Sequence, residues 1–191
     1  MNQLFMNQQN YINMNNIDNE IKKLINEYPD LWEKNNYKKG KLLSKIGKTG
    51  THNYYIESGI LKAFVYNEDT AKEVIIGFVS AEEFIIAASS EYLNIPLLLN
   101  LEVVNTAAIY SINNDNWNKL IETNKVSNEL LMQYSLQILV KFIEQAKINS
   151  YPRARTRYEK SLENYPCLRQ VKDEYVASFL GIDVRTINRI K

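Results

Sequence analysis

The sequence predicts an α+β protein, with a compact antiparallel β-domain ahead of Asp115 and only helices after it. Two observations carry this. The segments KLLSKI (41–46), NYYIESGILKAFVYN (53–67), KEVIIGFV (72–79) and NLEVVNTAAIYSI (100–112) are short and rich in β-branched and aromatic residues, and in places they alternate at period two. Several such strands at this spacing argue for a barrel or sandwich. Beyond Asp115 the apolar period becomes helical, and Val126–Ile148 runs without Gly or Pro.

In chain order, the first sixteen residues are polar and aperiodic and read as a tail. Ile17, Ile21, Leu24, Ile25 and Tyr28 fall at helical spacing, and Pro29 closes that helix. The strands that follow are punctuated by Gly40, Gly47, Gly50, Gly59, the pair Asn67-Glu68 and Pro96. Asn116–Thr123 reads as a short helix. The long helix has two apolar stripes. Met132, Leu136, Leu139, Ile143 and Ala146 are spaced four, three, four, three, which is a coiled-coil seam, while Leu131, Tyr134, Ile138 and Phe142 form a second face. One face is expected on the β-domain and the other on the same helix of a second subunit. Pro152 breaks the helix, and Tyr165-Pro166 stops an amphipathic Arg153–Leu162. Lys172–Leu180 and Val184–Ile190 then flank Gly181. The expected division is 1–125 for the first helix and β-domain, 126–149 for the dimerisation helix, and 152–191 for a small all-helical domain.

At 191 residues and 45% apolar content, the chain can bury one medium core and a small one. The net charge of +1 is unevenly spread: residues 151–191 hold nine Lys or Arg and five acids, +4, which leaves −3 for the rest. A polyanion partner is therefore expected at the C-terminal end. The one cysteine, Cys167, rules out an intrachain disulfide and a four-cysteine cluster, and points to a reducing cytoplasm. No apolar run approaches the ~20 residues of a membrane span, so no membrane partner is expected.

Within DEYVASFLGIDVRTINRI (173–190), each residue type suits a helix-turn-helix. Ala177 allows a close helix crossing, Gly181 supplies a positive φ, and Val176, Leu180, Ile182, Ile187 and Ile190 fill the wedge between helices. Asp183 is a natural N-cap. Burying Ile187 and Ile190 leaves Arg185, Asn188 and Arg189 together on the outer side. Arg and Asn can each make bidentate hydrogen bonds to guanine or adenine edges. Thr186, Lys172, Arg153, Arg155 and Arg157 are candidate phosphate contacts.

The order of parts resembles the Crp/Fnr family of bacterial transcription regulators, and TRYEKSLENYP followed by VASFLGIDVRTINRI is similar to its short-chain members. NYYIESGILKAFV, with Gly59 and Lys62, is similar to the family's GxxK hairpin. The resemblance implies a double-stranded β-helix (jelly roll) like those that bind cyclic nucleotides. It also implies a homodimer on a two-half-site DNA operator, and a helix-turn-helix without the β-hairpin wing of longer members. Nucleotide-binding members carry Gly-Glu after a Phe-Ile pair and an Arg-Ser further on. Here Phe84-Ile85 is followed by Ile86 and Ala87, and Leu97 or Leu98 stands where Arg would be. With no Lys or Arg between Lys72 and Lys119, a buried cyclic phosphate would lack its cation, so binding of cAMP or cGMP is not expected. Ile86, Ala87, Leu97 and Leu98 are expected to fill a disused pocket, although the region could admit a small apolar effector.

No cofactor is expected. Haem would depend on His52, the one histidine, and Cys167 has no evident activator. No catalytic triad, metal-ligand spacing or phosphate-binding glycine loop is present, so the protein is not expected to be an enzyme. The alternative to a DNA-binding regulator is an effector-sensing or protein-interaction module of the same fold that does not act on DNA directly.

Overall fold

The computed structural model describes residues 16–87 and 95–191; the expected N-terminal tail lies outside them. Helix α1 (Asn16–Glu27) ends before Pro29, which opens a single 3-10 turn. Eight strands follow: β1 (Glu33–Tyr37), β2 (Leu42–Ser44), β3 (His52–Ser58), β4 (Ile60–Tyr66), β5 (Glu73–Ser80), β6 (Phe84–Ile85), β7 (Asn100–Val103) and β8 (Ala107–Asn113). They form two four-stranded antiparallel sheets, ordered β1-β8-β3-β6 and β2-β7-β4-β5. The jelly roll implied by the resemblance is the observed fold. Ile56, Leu61, Leu101, Val103 and Ile109 are fully buried between the sheets, at the inward positions that a period of two selects.

Two strands were not visible in the apolar pattern. EKNNY (β1) is almost entirely exposed, but every residue of it pairs with β8. β6 is only two residues, held against Tyr54 and Tyr55 of β3. Main-chain pairing at a sheet edge needs no apolar side chain, so β1 leaves no mark in the hydropathy, and β6, though apolar, is too short to show a period. Gly59, between β3 and β4, has φ +100, and a Cβ there would lie 2.5 Å from the Cβ of Ala107; only glycine fits this crossing.

The remaining helices are α2 (Asn114–Glu122), α3 (Asn128–Asn149), α4 (Ala154–Asn164), α5 (Asp173–Leu180) and α6 (Val184–Ile190). Ser127 caps α3, its hydroxyl accepting from Leu130 N at 3.1 Å. Ile21, Phe84, Trp117, Leu120 and Tyr134 join α1, α2 and the start of α3 in a second core. A third core runs from the β2-β7-β4-β5 sheet into the C-terminal helices, through Ile75, Phe78, Leu168, Val176, Phe179, Leu180 and Ile187. The small all-helical part is thus docked on the β-domain.

Asp18 of α1 sits at the junction of α1 with β6, its carboxylate accepting from Phe84 N at 2.8 Å. Burial lifts its pKa from 3.8 to about 6; the Phe84 N–H and Lys141 act against this, and Glu83 adds to it. A raised carboxyl favours the protonated folded state. Its stabilising contribution is therefore full below about pH 4 and is lost as pH rises through about 6, a change of about 2 kcal/mol allowing for its partial exposure. Asp18→Asn keeps the acceptor oxygen without the charge and is expected to flatten the stability profile between pH 4 and 7. Thermal melts across that range check this; a slope as steep as the parent's would assign the titration to another group.

Candidate functional site

The C-terminal helices meet as their spacing requires. α5 ends at Gly181, whose φ of +60 is the left-handed conformation that closes a helix, and Ile182 N donates back to Ala177 O at 3.0 Å. Asp183 caps α6, its carboxylate accepting from Arg185 N at 2.8 Å. Val176, Leu180 and Ile187 are fully buried and Ala177 nearly so. Arg185, Asn188 and Arg189 are all exposed, on the side opposite Ile187. Thr186 is half-buried, and its hydroxyl accepts from Arg189 Nη2 at 3.3 Å.

Of the other basic residues, Lys172, Arg153 and Arg155 are exposed, Arg155 lying 4.0 Å from Glu159. Arg157 stands apart from them. Its Nε donates to Tyr151 O at 2.6 Å and its Nη1 to Leu180 O at 3.2 Å, so the guanidinium ties the end of α3 to the last carbonyl of α5. Its geometry gives it a structural task, and the set of phosphate contacts is better drawn without it.

α5 is fastened to the edge strand β5. Ser178 Oγ accepts from Ile75 N and donates to Glu73 O, both at 3.0 Å, so one hydroxyl fills a place in the strand's hydrogen-bonding pattern. Phe179 packs edge-on against Phe78 at 5.4 Å. Beneath Tyr175, Lys62 is 1% exposed, paired with Glu73 and with Glu102 at 3.4 Å, and lies over the rings of Phe64 (4.4 Å) and Tyr175 (4.5 Å). Burial pulls its pKa down, but the Glu73 hydrogen bond and the charges of Glu102 and Glu73 outweigh that and leave it above the ordinary lysine value.

Along α3 the two predicted stripes part company. Tyr134 is buried, and Leu131 and Ile138 pack on the second core, as one face against the β-domain requires. Phe142 departs from that stripe and is 50% exposed. Met132, Leu136, Leu139 and Ile143 remain 53–59% exposed, an uncovered apolar seam.

Two cavities lie beside β6. The smaller, about 200 Å³, is lined by all four residues expected at the nucleotide position, Ile86, Ala87, Leu97 and Leu98. They do not fill it as core. Leu98 is 70% exposed, Ile86 and Leu97 are half-buried, and Ala87 alone is buried. The expectation of a side-chain-filled pocket is therefore corrected: Gly47 N bonds Leu97 O and Leu97 N bonds Lys48 O, and this pairing with the turn before β3 holds the 95–99 segment to the surface.

The larger cavity, about 540 Å³, lies between β5–β6 and α3. Lys141, at its wall, was missed by a search for cations confined to the β-domain sequence, because α3 brings it in from another part of the chain. Its ammonium is already paired with Glu83 at 2.6 Å, and Asp18 adds a second acid nearby.

A cyclic nucleotide would need a cation for its phosphate and an acceptor for its ribose hydroxyl. In these cavities the described residues supply one lysine, committed to a carboxylate, and apolar side chains where the nucleotide-binding pattern has Glu and Arg. Among the described lining residues none offers an uncommitted cation to a phosphate. Elsewhere, His52 bonds Thr51 and stacks on Tyr54. Cys167 is buried, and burial with the Glu83 charge pushes its thiol up to about 11, far from a reactive thiolate at neutral pH. No group of three metal-ligating side chains occurs among the described residues, and no helix there is long and apolar enough to cross a membrane.

The family described as cyclic nucleotide-binding domain matches residues 34–124. No curated protein sequence matches the chain. Solved structures do. The c-di-GMP-responsive global regulator CLP of Xanthomonas campestris superposes with a TM-score of 0.67 at 15% identity, covering 88% of this chain and 89% of its own. FixK2 of Bradyrhizobium japonicum gives 0.70 at 13% identity, covering 83% and 82%. A Crp/Fnr-family transcriptional regulator from Eubacterium rectale gives 0.62 at 14%, covering 88% and 79%. Residues 34–124 thus match the cyclic nucleotide-binding domain, in a chain that shares its fold with solved structures of Crp/Fnr-type regulators.

Proposed function

We propose that the protein is a cytoplasmic, homodimeric regulator that binds double-stranded DNA at two half-sites through a helix-turn-helix formed by α5 and α6, without using cAMP or cGMP. Arg185, Asn188 and Arg189 read bases, and Thr186, Lys172, Arg153 and Arg155 hold phosphates. The observation that carries this is the orientation of α6. Its inner side is anchored by fully buried Ile187, while the three side chains able to recognise bases stand in solvent together. The uncovered seam of α3 supports pairing with a second copy, which would set two reading helices about 34 Å apart or a multiple of it. The division is that of residues 1–125, 126–149 and 152–191.

Selection from a randomised duplex library, followed by anisotropy titrations, tests the reading. A selected palindrome is expected, with Arg185→Ala plus Arg189→Ala weakening binding to it by at least 100-fold and affinity falling steeply with salt. Salt-insensitive binding, or full affinity in the double variant, would end the proposal. The larger cavity favours a second reading, an effector-sensing or protein-interaction module of this fold that leaves DNA alone. It predicts that no sequence is enriched by the selection.

A further inference from the structure

We propose that the lysine-bearing turns at the two ends of β2 hold the phosphate backbone of bound DNA, outside the bases that α6 reads. The inference rests on the DNA-binding reading above and extends its contact surface onto the β-domain. Residues 1–150 carry −3 overall, yet Lys38, Lys39, Lys41, Lys45 and Lys48 fall within eleven residues that contain no acid. All five are exposed, and none is paired with a carboxylate among the described residues. By contrast, Lys34 is tied to Glu57 at 2.6 Å and Lys160 to Glu163 at 2.9 Å.

Backbone bonds hold both turns in place. In the first, Lys41 N donates to Lys38 O at 3.2 Å, Gly40 N to Val103 O at 2.8 Å and Val103 N to Lys41 O at 3.0 Å. In the second, Lys48 N donates to Lys45 O at 3.1 Å, and Ile46 N to Asn100 Oδ1 at 3.0 Å. The lysine stems start from a fixed frame, so binding has only side-chain freedom to lose. Lys41 and Lys45 are four residues apart, up to about 13 Å, which matches about four base-pair steps of duplex. Leu42, Glu102 and Lys62 stand in one row across β2, β7 and β4. Leu42 is therefore two strand spacings, about 10 Å, from the lysine that Tyr175 of α5 covers. Leu42 also packs on the core that holds Ile187 of α6. The first turn thus flanks the sheet face against which the C-terminal helices dock.

The side chains decide the kind of partner. A lysine ammonium is a point charge without the fork geometry of arginine, which suits a row of phosphates and carries no base preference. A protein partner would need an apolar or aromatic anchor among the charges, and of the apolar side chains in 38–48 only Ile46 is exposed. Contacts of this kind add affinity and salt dependence without specificity.

Lys38→Gln, Lys39→Gln, Lys41→Gln, Lys45→Gln and Lys48→Gln together remove the charge, and the same five changed to Arg keep it; circular dichroism verifies the fold of both variants. Anisotropy titrations of the full chain use the selected palindrome extended by about one helical turn of duplex on each side. The Gln variant is expected to bind at least tenfold more weakly, with a salt slope shallower by about two or more, and the Arg variant to match the parent. The loss should be similar on an unrelated duplex of the same length, whereas Arg185→Ala plus Arg189→Ala should weaken the selected duplex far more than the unrelated one. Parent affinity and slope in the Gln variant would overturn the proposal and assign the lysines to an acidic protein surface instead. A loss confined to the selected sequence would also overturn it, because backbone contacts do not discriminate. If the library yields no enriched sequence but duplex binding still depends on the five lysines, base reading by α6 fails and the backbone contact stands. If no duplex binds at all, both fail.

Discussion

Leu136→Glu with Leu139→Glu is expected to convert the protein from a dimer to a folded monomer and to lower its affinity for a two-half-site duplex by at least 100-fold. Both side chains are 53% exposed in the single chain, and with Met132 and Ile143 they form one stripe along α3. Covering the remaining half of each should contribute about 1 kcal/mol per side chain, or about 8 kcal/mol gross over four residues on each of two helices. Four glutamates brought together at that seam would replace the gain with like-charge repulsion and desolvation. In the monomer the same positions face water, so thermal stability at low protein concentration should change little. Light scattering after size exclusion reads the first effect and anisotropy the second. A parent protein that is monomeric at tens of micromolar, or a double variant that remains dimeric, would remove α3 as the dimer contact.

Lys62→Met should cost about 3 kcal/mol of stability at pH 7. Lys62 is 1% exposed, its ammonium lying between Glu73 and Glu102 under the Tyr175 ring, and removing one partner from a buried ion cluster typically costs about 3–5 kcal/mol. The lower end applies because both acids keep some contact with water. Without a cation between them, the two carboxylates repel in the folded state and bind protons there more readily than in the unfolded chain. The deficit should therefore shrink as pH falls from 7 towards 4. Urea melts at several pH values measure it, and a deficit independent of pH would mean that packing rather than charge is lost. Lys62 also lies beneath α5, so the variant should loosen the docking of the C-terminal helices, read as faster amide exchange at Ile75, which is held by Ser178.

Much of this was legible in the sequence because it depends on local chemistry. Pro29, Pro152 and Tyr165-Pro166 bound their helices as expected, and Gly181 and Asp183 took the left-handed and capping roles that their residue types favour. Ile187 also fixed which way Arg185, Asn188 and Arg189 face. Other features left no local trace. β1 is held by main-chain bonds to a strand more than seventy residues away. Lys62 could be read as part of a hairpin pattern, but its burial comes from Glu73, Glu102 and the distant Tyr175 converging on one amine. Arg157, one basic residue among several in the sequence, is drawn inward by two carbonyls.

By itself, then, the sequence determined the α+β order, the antiparallel β-domain, the two stripes of α3 and the outward side of α6, and its resemblance to the Crp/Fnr family implied the jelly roll. The former follow from periodicity, capping or a motif carried on contiguous residues. Tertiary structure alone decided that Ile86, Ala87, Leu97 and Leu98 line a hollow rather than fill it, that Lys141 enters the wall of the larger cavity already paired, and that Gln145 is buried with an unsatisfied oxygen. A cavity is the space left where elements remote in sequence fail to meet, and its charge is the sum of groups brought from each. Neither is a property of any one stretch of chain.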